Sequence, residues 1–304
     1  MSRVVAVGGI NLDTVARIDA APTPFTSNPG RTQRTSGGVA RNVAENLARL
    51  GVEVSLIGAV GQDVSGEMLL SDLTRSGVDV TEVRRVAEPT DTYTAVVDSA
   101  GDLVIGVSDM TAVRTLRSEH LPPGLLEGAD WLVLDANLPV ETIAGLLDRA
   151  REAGVAVALD PVSVDKAGRL GDLDPMTVHT FTPNLAELGA FTGTTELGDA
   201  VAIAHERGVD VVWLREGLAG STLHQRGAAP ETVPAIPTRV VDVTGAGDAM
   251  LAGYLYQLCL GRPPARAAAF GAAAASLTVA VTSAVRPDLS VELVQQTLTE
   301  GRVR

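Results

Sequence analysis

Short apolar runs alternate with amphipathic runs along most of the chain, which is the pattern of repeated βαβ units. Apolar runs predict strands at 4–8, 53–58, 131–135, 156–160, 179–183, 209–215 and 238–242. Runs with helical spacing predict helices at 39–50, 64–75, 140–153, 184–192, 197–207, 246–260, 263–281 and 291–299. Such units form a parallel sheet with helices on both faces, so the sequence predicts an α/β fold.

Two stretches, at about 12–36 and 92–110, depart from this pattern because they are polar and read as short strands. The second contains a hairpin turn at 99–102. Both are too polar for a core, and they predict a small antiparallel sheet that covers the cleft as a lid. With no linker in the sequence, we expect a single domain over 1–304 that carries this lid.

Polar residues follow the predicted strands at their carboxyl ends. In parallel sheets these ends meet at one edge, where ligands bind. The residues expected along this edge are Asp13, Asp135, Asn137, Asp160, Asn184 and Asp242.

Composition narrows the function classes. A chain of 304 residues can bury a core as one large domain. Its net charge of −13 argues against nucleic-acid binding, which needs basic patches. The lone cysteine, Cys259, allows no internal disulfide. No signal peptide is visible, and the most apolar run, 267–281, is too short to span a bilayer. We therefore expect a cytoplasmic protein with no membrane partner.

The most informative motif is Asp-Val-Thr-Gly-Ala-Gly-Asp at 242–248, which is followed by an Ala/Leu-rich helical run. A glycine turn that opens a helix directs N–H groups, here those of Gly245, Ala246 and Gly247, at one anion. Asp248 adds a carboxylate beside that site, which suits deprotonation of a hydroxyl while a phosphoryl group is held. The alternative is an ordinary helix-capping acid.

A second glycine turn opens the helix predicted at 39–50. Gly37 and Gly38 would let the backbone approach a sugar closely. Asn42 lies in the first turn, where its amide could bond a ligand hydroxyl. The alternative is a plain helix entry, with Gly51 as the stop at the other end.

Together and in this order, the two motifs resemble the ribokinase-like (phosphofructokinase-B) family of carbohydrate and nucleoside kinases, over nearly the whole length. The resemblance implies a three-layer αβα sandwich with a mainly parallel central sheet and a small β-sheet lid. Within the family the chain is most similar to the pseudouridine kinases. The segments that carry this similarity are 27–30, 37–42, 109–110, 160–163 with Lys166, 183–184 and 286–290. Ala40 is a difference, because those kinases typically carry Gly there.

On the nucleotide side, the resemblance implies ATP and Mg²⁺. Asn184 and Glu187 would organise Mg²⁺ and phosphate, largely through water; the alternative for Glu187 is an acid that favours a helix dipole. The segment with Arg215, Gly217 and Gly220 resembles the family's adenine-side turn. Two further residues, Asp242 and Thr244, resemble its monovalent-cation site, which would hold K⁺.

On the acceptor side, the resemblance implies that the ribose is held by Asn11, Asp13, Gly38 and Asn42. Asn137 and Lys166 would line the same cleft. Arg41 would reach the acceptor or the phosphate, or it would form an ion pair with Glu45 on the same helix.

The implied reaction is phosphorylation of the 5′-hydroxyl of pseudouridine by ATP, with Asp248 as general base. One alternative is the same chemistry on another sugar or nucleoside, such as ribose, adenosine or a ketohexose. Another is an inactive protein that senses a sugar or nucleoside on a kinase scaffold. The partner expected besides this small-molecule substrate is a second copy of the chain, bound through the lid, because an exposed sheet edge seeks a partner.

Overall fold

The computed structural model describes residues 2–301, which form fourteen strands and nine α-helices. In chain order the strands are β1 (Arg3–Val7), β2 (Asn11–Ile18), β3 (Gly30–Gly37), β4 (Glu53–Ile57), β5 (Ala59–Gly61), β6 (Arg84–Val86), β7 (Asp91–Val97), β8 (Leu103–Asp109), β9 (Trp131–Asp135), β10 (Ala156–Asp160), β11 (Val178–Phe181), β12 (Val209–Arg215), β13 (Ser221–Gln225) and β14 (Glu231–Val233). The helices are α1 (Val39–Arg49), α2 (Val64–Arg75), α3 (Val140–Ala153), α4 (Val164–Leu170), α5 (Leu185–Thr192), α6 (Leu197–Glu206), α7 (Ala246–Cys259), α8 (Pro264–Thr278) and α9 (Val291–Gly301).

The central sheet has eight strands in the order β14-β13-β12-β11-β10-β9-β1-β4. The six strands from β12 to β4 are parallel, and β13 and β14 add an antiparallel edge. From β1 the chain runs to β4 on one side and later to β9 on the other. The order therefore reverses at β1, and this reversal opens a crevice at the carboxyl ends of the strands.

Alternate residues of the central strands face two separate cores. Val5 and Val7 of β1 pack in the core that contains α3, α4, α5 and α6. Val4 and Ala6 pack in the core that contains α1, α2, α7 and α8. Both sides of the sheet are therefore covered, which confirms the predicted three-layer αβα sandwich.

A separate four-stranded sheet has the order β3-β2-β7-β8 and contains the two polar stretches. The prediction of a small additional sheet is confirmed, but that sheet is not wholly antiparallel, because β2 and β7 run parallel. The outer strand β8 is exposed along its whole length. The role of this sheet as a lid stays a prediction, as does the extent of the domain.

The strand predicted at 238–242 is wrong. The apolar pattern there does not lead to sheet pairing, since Val240 and Val241 are each 48% exposed. The N–H groups of Val241 and Asp242 instead donate to the carbonyl of Val279, just after α8. The edge strands are β13 and β14, which the sequence analysis missed because a hairpin at a sheet edge carries little apolar periodicity.

Two other differences concern helices. α4 was not predicted, because its seven residues are too few for a clear period. α8 ends at Thr278 rather than at 281. Within residues 2–301, no helix combines the length and the apolar character needed to cross a membrane.

Helices α7 and α8 pack at close range, and glycines make this possible. A Cβ on Gly271 would lie 2.4 Å from the carbonyl oxygen of Met250 and 3.0 Å from the Trp213 ring. The neighbouring Gly253 faces Gly271 in the same way, since its Cβ would lie 3.0 Å from the Gly271 Cα. Backbone atoms set this distance, so side-chain movement cannot relieve the contact.

We expect Gly271→Ala to lower the free energy of unfolding by about 1–3 kcal/mol, through overpacking against the backbone of α7. Urea denaturation measures the loss. The matched control is Gly198→Ala in α6, where an added Cβ would have no neighbour within 4 Å. That change should alter stability by less than about 1 kcal/mol. Equal effects of the two substitutions would contradict close packing at Gly271.

Candidate active site

The candidate site lies where β1, β9, β10 and β12 end and where α1 and α7 begin. The glycine turn at 245–247 leads into α7. Gly245 caps the helix in a left-handed conformation, with a φ of 77°. A Cβ there would lie 1.9 Å from the carbonyl oxygen of Ala284, so the turn rests directly on that backbone. The N–H group of Ala246 already donates to the carbonyl of Val243 at 3.2 Å.

Asp248, in the first turn of α7, is 8% exposed. Its Oδ2 accepts a hydrogen bond of 2.8 Å from Nδ2 of Asn42 in the first turn of α1. Burial raises the pKa of Asp248 to about 7, and the negative charge of Asp160 adds to the rise. The hydrogen bond from Asn42 and the positive charge of Arg215 oppose it. The carboxyl group therefore titrates near neutral pH, the range that suits a general base.

Arg215, the last residue of β12, joins two buried carboxylates. Its Nη1 lies 3.1 Å from Oδ2 of Asp160, and its Nη2 lies 2.9 Å from Oε2 of Glu187. A Cβ on Gly247 would lie 2.4 Å from Nη1, so the guanidinium lies against the glycine turn. Burial lowers the pKa of Arg215, but the two carboxylates outweigh it and raise the pKa overall. The sequence analysis placed Asp160 at the sheet edge without a role.

Asn184 and Glu187 form a capping box at the start of α5. Oδ1 of Asn184 accepts from the Glu187 N–H at 2.9 Å, and Oε2 of Glu187 accepts from the Asn184 N–H at 2.8 Å. Glu187 is thus both a helix-capping acid and a partner of Arg215. Among residues 2–301, no three His, Cys, Asp or Glu side chains converge closely enough to chelate a metal ion. Two carboxylates beside an anion site fit a hydrated Mg²⁺, held through its water ligands.

The predicted sugar-binding residues lie where the two sheets meet. Asn11 and Asp13 belong to β2, so Asp13 lies inside a strand rather than past a strand end. Nδ2 of Asn11 donates to Oδ1 of Asp13 at 2.6 Å. A Cβ on Gly37 would lie 2.2 Å from Oδ2 of Asp13, so any larger residue there would displace the carboxylate. Burial raises the pKa of Asp13 to about 6, although Asn11 and Arg41 oppose the rise.

Asn137, just after β9, accepts a hydrogen bond on Oδ1 from Nζ of Lys166 in α4. Burial lowers the pKa of Lys166, and the charge of Asp135 opposes this effect. A Cβ on Gly9 would lie 2.8 Å from Nδ2 of Asn137, so the amide packs on the turn after β1. Two predicted acceptor-side residues, Asn137 and Lys166, are therefore in contact with each other.

The carboxylate of Asp135, the last residue of β9, is fully buried. Its Oδ2 accepts from the N–H groups of Gly9 and Ala40, both at 2.9 Å. Its Oδ1 accepts from the N–H of Asn137 at 2.9 Å. The residue that precedes α1, Gly38, has no side chain with which to cap the helix, so Asp135 supplies the cap from another strand. The sequence analysis gave Asp135 no role, because nothing in its spacing predicts this long-range bond.

Arg41 forms an ion pair with Glu45, which is one of the two roles that the sequence analysis gave it. Its Nη1 also donates to Oδ1 of Asn42 at 2.9 Å. The side chain is 5% exposed, so the guanidinium is enclosed by protein. Contact of Arg41 with an acceptor stays a prediction.

The remaining predicted residues lie in two segments, the turn after β12 and the residues just before the glycine turn of α7. Gly217 and Gly220 flank a short 3₁₀ helix between β12 and β13, both with positive φ. Asp242 lies in an irregular segment, not at a strand end as predicted, and its Oδ1 accepts from the Thr244 N–H at 2.8 Å. The sequence analysis missed a nearby cavity of about 220 Å³. Its walls include Ile236, Pro237, Thr238, Ser276 and Leu277.

Comparison with known proteins agrees with this arrangement. The model of the pfkB family carbohydrate kinases matches residues 1–290. The pseudouridine kinase of Escherichia coli is 32% identical over 95% of this chain and 94% of its own length. A ribokinase of Arabidopsis thaliana is 30% identical over 93% of this chain and 77% of its own length. The structure of Arabidopsis thaliana ribokinase complexed with ribose and ATP has a TM-score of 0.85, with 27% identity and 98% of each chain covered. The protein belongs to the pfkB family of carbohydrate kinases.

We expect Asp135→Ala to lower the free energy of unfolding by about 3 kcal/mol or more, because three buried N–H groups lose their acceptor at about 1 kcal/mol or more each. Chemical denaturation at neutral pH measures this loss. Asp79→Ala is the control, since that exposed carboxylate also accepts from a backbone N–H, that of Thr81. It should change stability by under about 1 kcal/mol. A loss of under about 1 kcal/mol for Asp135→Ala as well would contradict its role as the cap of α1.

Proposed function

We propose that this protein transfers the γ-phosphoryl group of ATP to the 5′-hydroxyl of pseudouridine, giving pseudouridine 5′-phosphate and ADP. The observation that carries the proposal is the buried Asp248 carboxylate, beside a glycine turn that opens a helix and opposite the amide of Asn42. A carboxylate so placed accepts the proton of the attacking hydroxyl. The new O–P bond forms as the bond to the leaving ADP oxygen breaks.

The anion site supplies the electrostatic part of this chemistry. The N–H groups of Gly245 and Gly247 and the positive end of the α7 dipole stabilise the transferring phosphoryl group, while the Ala246 N–H donates to the Val243 carbonyl. Arg215 lies against Gly247 and places a guanidinium at the same position. Mg²⁺, held through water by Asp160 and Glu187, would neutralise phosphate charge when bound. A K⁺ ion at Asp242 and Thr244 would raise the field of the anion site.

The cavity beside 236–238 and the end of α8 suits the adenine ring of the nucleotide. Its walls include the apolar side chains of Ile236 and Leu277, which favour a flat aromatic ring. It adjoins the segment that leads to the glycine turn, because Val241 donates to the Val279 carbonyl at 2.7 Å. The turn at Gly217 and Gly220 would lie on the adenine side of the phosphates.

The choice of pseudouridine rests on the acceptor side of the site. Asn11, Asp13, Gly38 and Asn42 would hold the ribose, and Asn137 and Lys166 would lie towards the base. The similarity to the Escherichia coli pseudouridine kinase extends over nearly the whole chain. Ribokinase relatives of comparable identity keep ribose as an alternative acceptor. An inactive sensor is less well supported, because Asp248 and its glycine turn are both intact.

We further propose that the protein pairs with a second copy of itself through the four-stranded sheet. The outer strand β8 exposes Leu103, Ile105 and Val107, each by more than half. An exposed apolar edge strand favours pairing with another chain. Pairing of two lids would also shelter the acceptor cleft from water, which is the competing nucleophile in phosphoryl transfer.

The first test measures ADP release with Mg²⁺-ATP and a panel of pseudouridine, uridine, cytidine, adenosine, ribose and fructose. We expect the highest kcat/KM on pseudouridine and a fall of about 10²–10⁴-fold in Asp248→Asn, since the base is lost. Fluorescence binding of ADP to the variant controls for folding. If turnover is highest on another acceptor, pseudouridine is not the substrate, but the proposed kinase activity stands. Binding of ligands without turnover would favour the sensor.

The pH dependence gives a second test. Because the pKa of Asp248 is about 7, its carboxylate form is lost as pH falls through that value. We expect kcat/KM to fall about tenfold per pH unit below pH 7 and to level off above it. Asp160→Asn removes a negative charge that raises this pKa, so kcat/KM should begin to fall at a lower pH in this variant. A fall in kcat/KM centred near pH 4, and unchanged in Asp160→Asn, would contradict the role of Asp248 as the base.

A further inference from the structure

Four buried side chains form a line of contacts from the surface of α1 to Asp248. Glu45 forms an ion pair with Arg41, Arg41 donates to Oδ1 of Asn42, and Nδ2 of Asn42 donates to Asp248. All four are less than 9% exposed.

The amide of Asn42 has two orientations that differ by exchange of its oxygen and its NH₂ group. With NH₂ towards Asp248, the amide stabilises the carboxylate form. With the oxygen towards Asp248, it would repel the carboxylate and favour the protonated acid. Arg41 has donors only, so the group that faces it must be the amide oxygen.

We propose that Arg41 is a positioning residue, whose guanidinium fixes the Asn42 amide so that NH₂, rather than the carbonyl oxygen, faces Asp248. The proposal rests on the proposed function in that Asp248 is taken as the base, but the orientation itself is a property of the free protein. Glu45 has a supporting part, because it neutralises and holds the buried guanidinium.

Other charged groups lie near the two ends of this line, and their effects on the pKa of Asp248 must be distinguished from that of the Arg41–Asn42 contact. Those near Asp248 are Asp160, Arg215 and Asp135, on three strands of the central sheet. Those near Arg41 are Glu45 and Arg49 on its own helix, Asp72 on α2, and Asp13 on β2. If the charge of Arg41 acted on Asp248 directly, its loss would raise the pKa of Asp248 whatever the orientation of the amide. The test must therefore distinguish this field effect from the orientation.

Arg49 provides the matched control. It lies two turns further along α1 and pairs with the same Glu45, at 2.6 Å. It forms no hydrogen bond with Asn42; its other partners are the Pro287 carbonyl and Ser76. Arg49→Met therefore disturbs Glu45 to a similar degree and leaves the donor to Asn42 in place.

The measurement is the carboxyl ¹³C titration of Asp248 in protein labelled at aspartate, with its signal assigned by its loss in Asp248→Asn. This readout needs neither substrate nor turnover, so it stands if the proposed function fails. We expect a midpoint near the pKa of about 7 in the parent protein. In Arg41→Met the midpoint should rise by about one pH unit, the size of one charge-assisted hydrogen bond. Arg49→Met should leave it in place.

Two further variants separate orientation from charge. Arg41→Gln removes the charge but keeps an N–H donor for Asn42, so its midpoint should stay close to that of the parent protein. This variant carries the test alone if Arg41→Met does not fold. In an Asn42→Ala background, Arg41→Met should add no further rise, because no amide is left to orient.

The kinetic counterpart is kcat/KM for the acceptor, whose fall at low pH should move upward by the same interval in Arg41→Met, with full recovery at high pH and KM for ATP unchanged. Three results would overturn the proposal. They are a midpoint that does not move in Arg41→Met, a rise of about one unit in Arg41→Gln, and a full additional rise in the Asn42→Ala background. The last two would assign the effect to the charge of Arg41 alone.

Discussion

The arrangement of the site depends on one buried carboxylate, that of Asp135. It accepts hydrogen bonds from the turn after β1, from the first turn of α1 and from the segment after β9. These three segments carry or adjoin the residues proposed to hold the acceptor, and the Arg41 N–H adds a bond to the Gly9 carbonyl between two of them. A carboxylate with three N–H donors offsets its desolvation through these bonds, although burial still raises its pKa. Gly8 is glycine for the same reason, because a Cβ there would lie 2.4 Å from Oδ2 of Asp135.

The proposed nucleotide side is organised by charge as well as by the capping box of Asn184 and Glu187. Arg215 lies between Asp160 and Glu187, so one buried cation balances two buried carboxylates. Asp248 lies close enough to Asp160 and Arg215 to feel both, and burial adds the largest effect on its pKa. The pKa of Asp248 is therefore set by residues on several strands and not by its own motif. A buried network of this kind stabilises the fold only while every partner is present, which makes each member sensitive to substitution.

The prediction from sequence failed where apolar residues served a purpose other than a sheet. The run at 238–242 has the composition of a strand, yet its N–H groups bond to the end of α8 and its valines stay exposed. The true edge strands β13 and β14 are short and mixed in polarity, so no periodic signal marked them. Asp242 was consequently expected at a strand end, and it lies instead in an irregular segment before the glycine turn.

The sequence by itself determined the elements with long, clear periods, since α2, α3, β9, β10 and β12 begin and end where the pattern predicts. It also determined which residues the two glycine turns carry, because glycine and the first helical turn are encoded locally. Only the tertiary structure decided what those residues meet. Asn42 and Asp248 are 206 positions apart and bond to each other, and Arg215 reaches one carboxylate on β10 and another on α5. Such contacts depend on strand order and helix packing, which local periodicity does not encode.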